Sequence, residues 1–492
     1  MDNYRNFVSG RWTESNSSRT VNNINPANTD DVIGTVRQAT REEARAAVEA
    51  AAEAFHSWRA TPAPARGKIV AKVARLMEEA KEELSQILTR EEGKTLGESR
   101  GEVQRSINVA EFCAGESRRM NGETIFSELP SNFVYTIKQP IGVVACVTPW
   151  NFPVAIPTWK IAPALVAGNT VVFKPATLTP ATAVRLVEIF EQAGVPPGVL
   201  NLILGSGSDA GDEIINHPAV KAVSFTGSNG VGIRLYEQVS RRGAKCQCEM
   251  GGKNPVVVLE DCDMDLAVEN TAQGAFGSTG QRCTATSRAI VVNQVADEFV
   301  KRIVKRAESM RLGNGADSNS EIGPSVDESQ FKTVLSYLNI GREDGATLLC
   351  GGTRASGNGL DKGYFVQPTV FDHVTNDMRI AREEIFGPVL GVIRVKDFEE
   401  AMQVANDTEF GLSSSIFTND AARIFKFVDE IETGMTHINS PTTGGEAHIP
   451  FGGIKGTGIG DREQGSTALD FYTELKVVYV DYTGRKREGN LY

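Results

Sequence analysis

The chain has 492 residues, 40% apolar and 23% charged, with a formal net charge of −11. A chain this long outgrows a single core and is expected to form two or three structural units, and its ordinary composition excludes a disordered protein. The acidic balance speaks against non-specific nucleic-acid binding, which needs an excess of phosphate-neutralising cations.

The first residues, MDNYRNFVSGRWTES, are polar and lack the basic start and apolar run of a secretory signal. Thr40 followed by Glu43 is a capping-box pattern and opens an amphipathic helix running to about Ala60, which Pro62 and Pro64 break. A second helix is predicted from about Ala65 to Arg90, stopping near Gly93, and a third from about Glu98 to Met120. The longest uncharged stretch, Gln139 to Trp159, carries Pro140, Pro149, Pro153 and Pro157 as well as Asn151. That content suits buried strand and loop, not a membrane helix.

From Val134 the character changes. YTIKQPIGVVACVTPW, NTVVFKP, GVLNLIL and KAVSFTG are short β-branched runs separated by helical segments such as PATAVRLVEIFEQAG. This alternation predicts βαβ units and a parallel sheet. A second α/β series begins near Asn254, with PVVVLE, SRAIVVN, a helix through about Arg311, GATLLCGG, GPVLGVIRV and SSSIFTN. The tail, FYTELKVVYVDY, alternates like a strand suited to pairing with another chain.

The seven cysteines are Cys113, Cys146, Cys246, Cys248, Cys262, Cys283 and Cys350, without a CxxC among them. An odd number in a long chain fits a reducing, cytoplasmic setting better than a disulfide framework. Cys246 and Cys248 point the same way along a strand. With five scattered histidines and no HxxxH or HExxH, no metal site is expected.

Two glycine patterns compete for cofactor phosphates. Gly205-Ser-Gly207-Ser-Asp-Ala210 follows the run GVLNLIL and satisfies GxGxx(G/A), but the acidic residue expected some 20 positions on is absent. Gly227-Ser228-Asn229-Gly230-Val231-Gly232 also follows a strand and opens a helix, whose first N–H groups would face a pyrophosphate. Spacing alone does not choose between them, and either is also an ordinary turn. Cys283, among small and polar residues in FGSTGQRCTA, is a nucleophile candidate; alone, as one cysteine of seven, it reads more readily as a small inert packing residue. Glu249, between a strand and paired glycines, could serve as a general base or be a plain loop acid.

Taken together, PWNFP (149–153), WKIAPALVAGNTVVFKPA (159–176), FTGSNGVG (225–232), EMGGKNP (249–255), GQRC (280–283), EEIFGPV (383–389) and PFGGIKGTGIGDRE (450–463) resemble the aldehyde dehydrogenase superfamily, in order and over nearly the whole chain. The resemblance implies an α/β fold with a Rossmann-type cofactor domain (1–120 and 141–250), an α/β catalytic domain (251–448) and a β oligomerisation arm (121–140 and 468–492). A homodimer or homotetramer follows by analogy. It also implies NAD or NADP as cofactor and a small aldehyde as substrate, with Cys283 as the thiolate that forms a thioester. Asn151 and the Cys283 N–H would hold the oxyanion, one such donor being worth roughly 3 kcal/mol. Glu249 would activate the deacylating water, and Glu463 would be a second carboxylate in proton relay. Trp150, Lys160, Lys174, Thr177, Gly227, Ser228 and Gly232 resemble cofactor contacts, and Glu384 and Phe386 the clamp on the nicotinamide ribose; GSGSDA is then a decoy. Phe152, Trp159 and Arg282 are expected to face the substrate, Arg282 as the partner of a far carboxylate.

The details STGQRCTATSR, EMGGKNPVVV and CAGES resemble the branch acting on α-ketoglutaric semialdehyde. Succinic semialdehyde or another small aldehyde is the neighbouring reading. A CoA-acylating enzyme would have no need of Glu249. A non-enzymatic scaffold would have no need of Cys283, Asn151 and Glu249 together.

Overall fold

In the computed structural model, which describes residues 2–486, two large sheets carry most of the core. The first has eight strands in the spatial order Gly458–Ile459, Lys245–Glu249, Val220–Thr226, Val143–Val147, Thr170–Lys174, Leu200–Leu202, Asn6–Val8 and Arg11–Thr13. The strands from Lys245–Glu249 to Leu200–Leu202 run parallel. Their β-branched residues are buried on both faces, as a helix-covered parallel sheet requires. From Val143–Val147 the chain builds outward to one side, then crosses over and builds outward to the other from Val220–Thr226. These two strands therefore flank the topological switch point, beyond whose carboxyl ends such folds bind ligands.

The second sheet has seven strands in the order Thr347–Cys350, Thr369–Asp372, Val389–Val395, Thr286–Val292, Asn254–Val258, Ser413–Phe417 and Met435–Ile438. All run parallel except the first, which is antiparallel at the edge. Alternate residues feed its two core layers. Val257, Ile290 and Ile393 enter one, and Val256, Val258 and Val291 the other.

The Thr40–Glu43 capping box forms and starts the helix Arg41–Ala60. Several expectations need correction. The helix expected over 65–90 is two, Ala63–Glu79 and Lys81–Glu92, broken at Ala80. No glycine or proline marks the break; the long helix Leu96–Glu116 packs against both pieces. The run YTIKQPIGVVACV divides into Asn132–Pro140 and Val143–Val147, which join different sheets. Asn169 stitches the bend, its Oδ1 accepting Ile141 N at 2.8 Å and Gly142 N at 3.0 Å. The stretch read as strand and loop up to Trp159 turns helical at Ala155, in a fully buried helix Ala155–Ala167. Pro157 is tolerated there because first-turn N–H groups have no partner within the helix. Five short strands before residue 38 escaped the sequence reading.

The tail strand Thr473–Asp481 pairs first with its own chain, antiparallel to Asn132–Pro140 through nine residue pairs, and Thr124–Phe126 completes a three-stranded arm. Phe126, Phe133, Leu475, Val477 and Tyr479 stand exposed on this arm. The last residues of the expected arm, 487–492, lie outside the described residues. Among the described residues no helix is long and apolar enough to cross a membrane.

Candidate active site

The loops leaving the two switch-point strands meet a segment from the second sheet. Trp150, Asn151, Thr226, Gly227, Ser228, Cys283, Glu384 and Phe386 line one cavity of about 250 Å³. The helix Asn229–Ser240 begins there. Ser228 precedes it without making a side-chain cap, so first-turn N–H groups are left for a ligand. Gly232 is required by close packing, since a Cβ would run into Met250. The GSGSDA loop is differently disposed. Ser206 Oγ already caps the Asp209 N–H at 3.2 Å, and the Asp209 carboxylate is paired with Arg19 and Arg41. The loop's last glycine, Gly211, lies against the Lys174 stem.

Lys174 ends its strand buried, its Nζ donating to Pro175 O at 3.0 Å, and burial pushes its pKa down to about 8. Thr177 lies half-buried just beyond. Across the cavity, Phe386 holds a left-handed φ of 57° and meets Trp150 edge-on at 5.5 Å. Glu384 accepts Gly252 N at 3.1 Å, and desolvation pushes its pKa up to about 7. An uncapped helix start at the switch point, a nearby cation and a carboxylate facing them across the crevice together fit a dinucleotide.

The loop that carries Cys283 is held by unusual backbone. Ser278, Thr279 and Gly280 are consecutively left-handed, with φ of 49°, 59° and 67°. Two of them carry side chains, so the surroundings must offset the strain. Ser278 N donates to Glu98 Oε1 at 2.5 Å, Thr279 Oγ1 to Gly323 O at 3.0 Å, and Val326 N to Gln281 Oε1 at 2.9 Å. Asn254 Nδ2 donates to Cys283 O at 2.8 Å. The thiol faces the cavity. Desolvation, with the Glu249 and Glu384 carboxylates adding to it, pushes its pKa up to about 12, while Arg105 pulls the other way.

Asn151 Nδ2 donates to Gln281 O at 3.1 Å, which leaves its second N–H for another acceptor. A network absent from the sequence reading positions this residue. Lys94, 1% exposed, donates to Glu102 Oε2 at 2.7 Å and to Asn151 O at 2.5 Å, and lies 4.1 Å from the Phe152 ring centre. The other Glu102 oxygen accepts Val154 N at 2.8 Å and Ala155 N at 3.1 Å, capping the helix Ala155–Ala167 from a distance. A lysine just past a helix stop gave no sign of a partner 57 positions away.

Glu249, 3% exposed, ends the strand Lys245–Glu249, and its Oε2 accepts Gly453 N at 3.2 Å. Burial, reinforced by Glu463, raises its pKa well above the usual carboxylate range. Behind it Lys160 and Glu463 form a buried ion pair, and Lys160 also donates to Ser224 Oγ at 2.9 Å.

Trp159 is buried against Phe451, ring centres 5.5 Å apart. Arg282 requires correction. Its Nε donates to Ser278 Oγ at 3.0 Å and its Nη2 lies 3.4 Å from Glu98 Oε1, so it braces the loop that bends before Cys283 and is committed to a carboxylate of the protein itself.

Residues 12–478 match the aldehyde dehydrogenase family. The chain is 46% identical to the alpha-ketoglutarate semialdehyde dehydrogenase of Haloferax volcanii, covering 98% of this chain and 100% of that one. It is 45% identical to the alpha-ketoglutaric semialdehyde dehydrogenase of Bacillus subtilis, covering 98% of each. A crystal structure of betaine aldehyde dehydrogenase from Staphylococcus aureus in complex with NAD+ superposes with a TM-score of 0.96 at 36% identity, covering 98% of this chain and 95% of that one.

Proposed function

Because the chain belongs to the aldehyde dehydrogenase family, we propose that it oxidises a small semialdehyde, of which α-ketoglutaric semialdehyde is the best candidate, to the carboxylate through a thioester on Cys283. The observation that carries this reading is the single cavity shared by the Cys283 thiol, the Asn151 amide and the uncapped helix start after Ser228. The high identity to two α-ketoglutaric semialdehyde dehydrogenases supports the substrate.

As the thiolate, its proton given up to solvent water, Cys283 Sγ bonds to the aldehyde carbon while the carbonyl π electrons move onto oxygen. The free N–H of Asn151 and the backbone N–H of Cys283 receive that oxyanion. The nicotinamide supplies the hydride acceptor when bound. The remaining acyl group sits on sulfur as a thioester. Glu249 then takes a proton from the water that attacks the acyl carbon, the C–S bond breaks, and the thiolate is released. The Lys160–Glu463 pair behind Glu249 offers the proton a buried way out. Since the pKa of Glu249 is raised, its basic form appears only as pH climbs, so kcat should increase from mildly acid to alkaline pH wherever deacylation limits the rate.

The seven free cysteines suit a reducing compartment, such as the cytoplasm. The apolar outer residues of the arm support its burial between chains in a homodimer or homotetramer. Incubating the enzyme with α-ketoglutaric semialdehyde, succinic semialdehyde or neutral aldehydes and NAD, with and without CoA, tests the function. Reduced cofactor should form without CoA, and fastest with α-ketoglutaric semialdehyde. A strict requirement for CoA would overturn hydrolytic deacylation.

Cofactor choice gives a second test. Thr177 carries no charge to repel a 2′-phosphate, and Lys174 nearby attracts one. NADP should be used with a kcat/KM within about tenfold of NAD. Thr177→Glu should shift preference toward NAD by about 100-fold, because like charges would then face each other. Lys174 is cationic below its pKa of about 8 and neutral above it, so NADP use should decline relative to NAD as pH rises through that value. A wild-type enzyme that already rejects NADP by about a thousandfold would exclude Thr177 as the determinant.

A further inference from the structure

Beside the catalytic cavity lies a larger depression of about 610 Å³, walled by the helix Leu96–Glu116 and the loop 445–448. Phe112 and His448 stand at one side, ring centres 6.5 Å apart, and Glu111 and Glu446 are exposed on the rim. Arg105 forms part of its wall. The Arg105 guanidinium lies 5.1 Å over the Trp159 ring, and Trp159 in turn stacks with Phe451. A Cβ on Gly445 would come within 2.7 Å of Arg105 Nη2, so glycine leaves room for the guanidinium.

Arg105 is poorly partnered for a charged side chain. Nη2 donates to Gln464 Oε1 at 3.2 Å, and Nε has no hydrogen-bond partner among the described residues. The neighbouring carboxylates are engaged elsewhere. Glu102 is bound by Lys94 and two backbone N–H groups, and Glu98 by Ser278 N and Arg282. Arg105 and Cys283 are near enough for each to move the other's proton affinity, and Arg282 adds positive potential alongside. A guanidinium with no carboxylate paired to it among the described residues, stacked on an aromatic wall and electrostatically coupled to Cys283, is a binding site for an anionic group.

We propose that Arg105, rather than Arg282, binds the carboxylate at the far end of the substrate, with Trp159 and Phe451 walling the carbon chain between that carboxylate and Cys283. This inference rests on the reading of the substrate as a semialdehyde bearing a carboxylate. The rim acids Glu111 and Glu446 stand in water, where their repulsion is screened. Arg105 is held at the inner wall, where a charge-assisted bond is stronger.

The test compares α-ketoglutaric semialdehyde with pentanal, an uncharged aldehyde of the same carbon number. The proteins are wild type, Arg105→Met, Arg105→Lys and Arg282→Met. Wild type should favour the semialdehyde. Arg105→Met should lose about 100-fold in kcat/KM on it, mainly through KM, with a loss on pentanal of no more than about tenfold, the part that comes from the pull of Arg105 on the Cys283 pKa. Arg105→Lys should recover part of the loss, and Arg282→Met should affect both aldehydes alike. Binding of 2-oxoglutarate measured by calorimetry should weaken in Arg105→Met in parallel. An equal loss on both aldehydes in Arg105→Met, or an unchanged preference, would overturn the assignment while leaving the substrate reading intact. A wild type without preference for the semialdehyde would overturn both.

Discussion

Cys283→Ala is expected to reduce aldehyde oxidation by at least about 10⁴-fold while leaving cofactor binding and folding intact. No second thiol can take over. Among the described residues Cys283 is the one cysteine lining the cavity, and the thiols of Cys113 and Cys146 are packed in the core around the first sheet. Folding should survive because the loop is held by groups other than the sulfur. Asn254 bonds the Cys283 carbonyl, Gln281 is clamped to Val326, and Glu98 takes the Ser278 N–H. The thiol faces a cavity, so its loss removes little packing. Turnover, cofactor affinity by fluorescence titration and thermal melting together decide the matter. A variant that kept even a few per cent of wild-type turnover would refute covalent catalysis at this residue.

Glu249→Gln is expected to separate the two halves of the reaction. The amide has nearly the same shape, and its oxygen can still accept the Gly453 N–H that the carboxylate now holds. It cannot take a proton from water. Acylation and hydride release should proceed, and deacylation should slow by about 10³-fold. Rapid mixing should show a burst of about one reduced cofactor per active site, followed by a very slow steady state. The alkaline rise of kcat assigned to Glu249 should disappear as well, because the group whose ionisation produces it is gone. Equal slowing of burst and steady state would point elsewhere. Glu249 is one of the charges that raise the Cys283 pKa, and that outcome would make it the base that activates the thiol.

Much of the architecture is legible wherever neighbouring residues decide it. The Thr40–Glu43 capping box needs four residues and forms as expected. The β-branched runs at 143–147, 170–174 and 220–226 demand burial on both faces and become the parallel centre of the first sheet. The motifs around Asn151, Glu249 and Cys283 identify the family because each holds several residues at fixed spacing, and residues 12–478 match it.

Tertiary structure decided what depends on residues far apart in the chain. GSGSDA has the better glycine spacing, but Ser206 caps its Asp209 N–H and Asp209 carries a carboxylate there, whereas the helix after Ser228 starts uncapped at the switch point. Arg282 adjoins Cys283 in sequence, yet the left-handed run Ser278–Gly280 bends the loop before it and Glu98 takes up its guanidinium. Arg105 carried no sequence signal, because its distinction is the lack of an ionic partner among the described residues. That lack arises only when folding commits Glu98 to Arg282 and Glu102 to Lys94, and neither pairing could be read from local pattern.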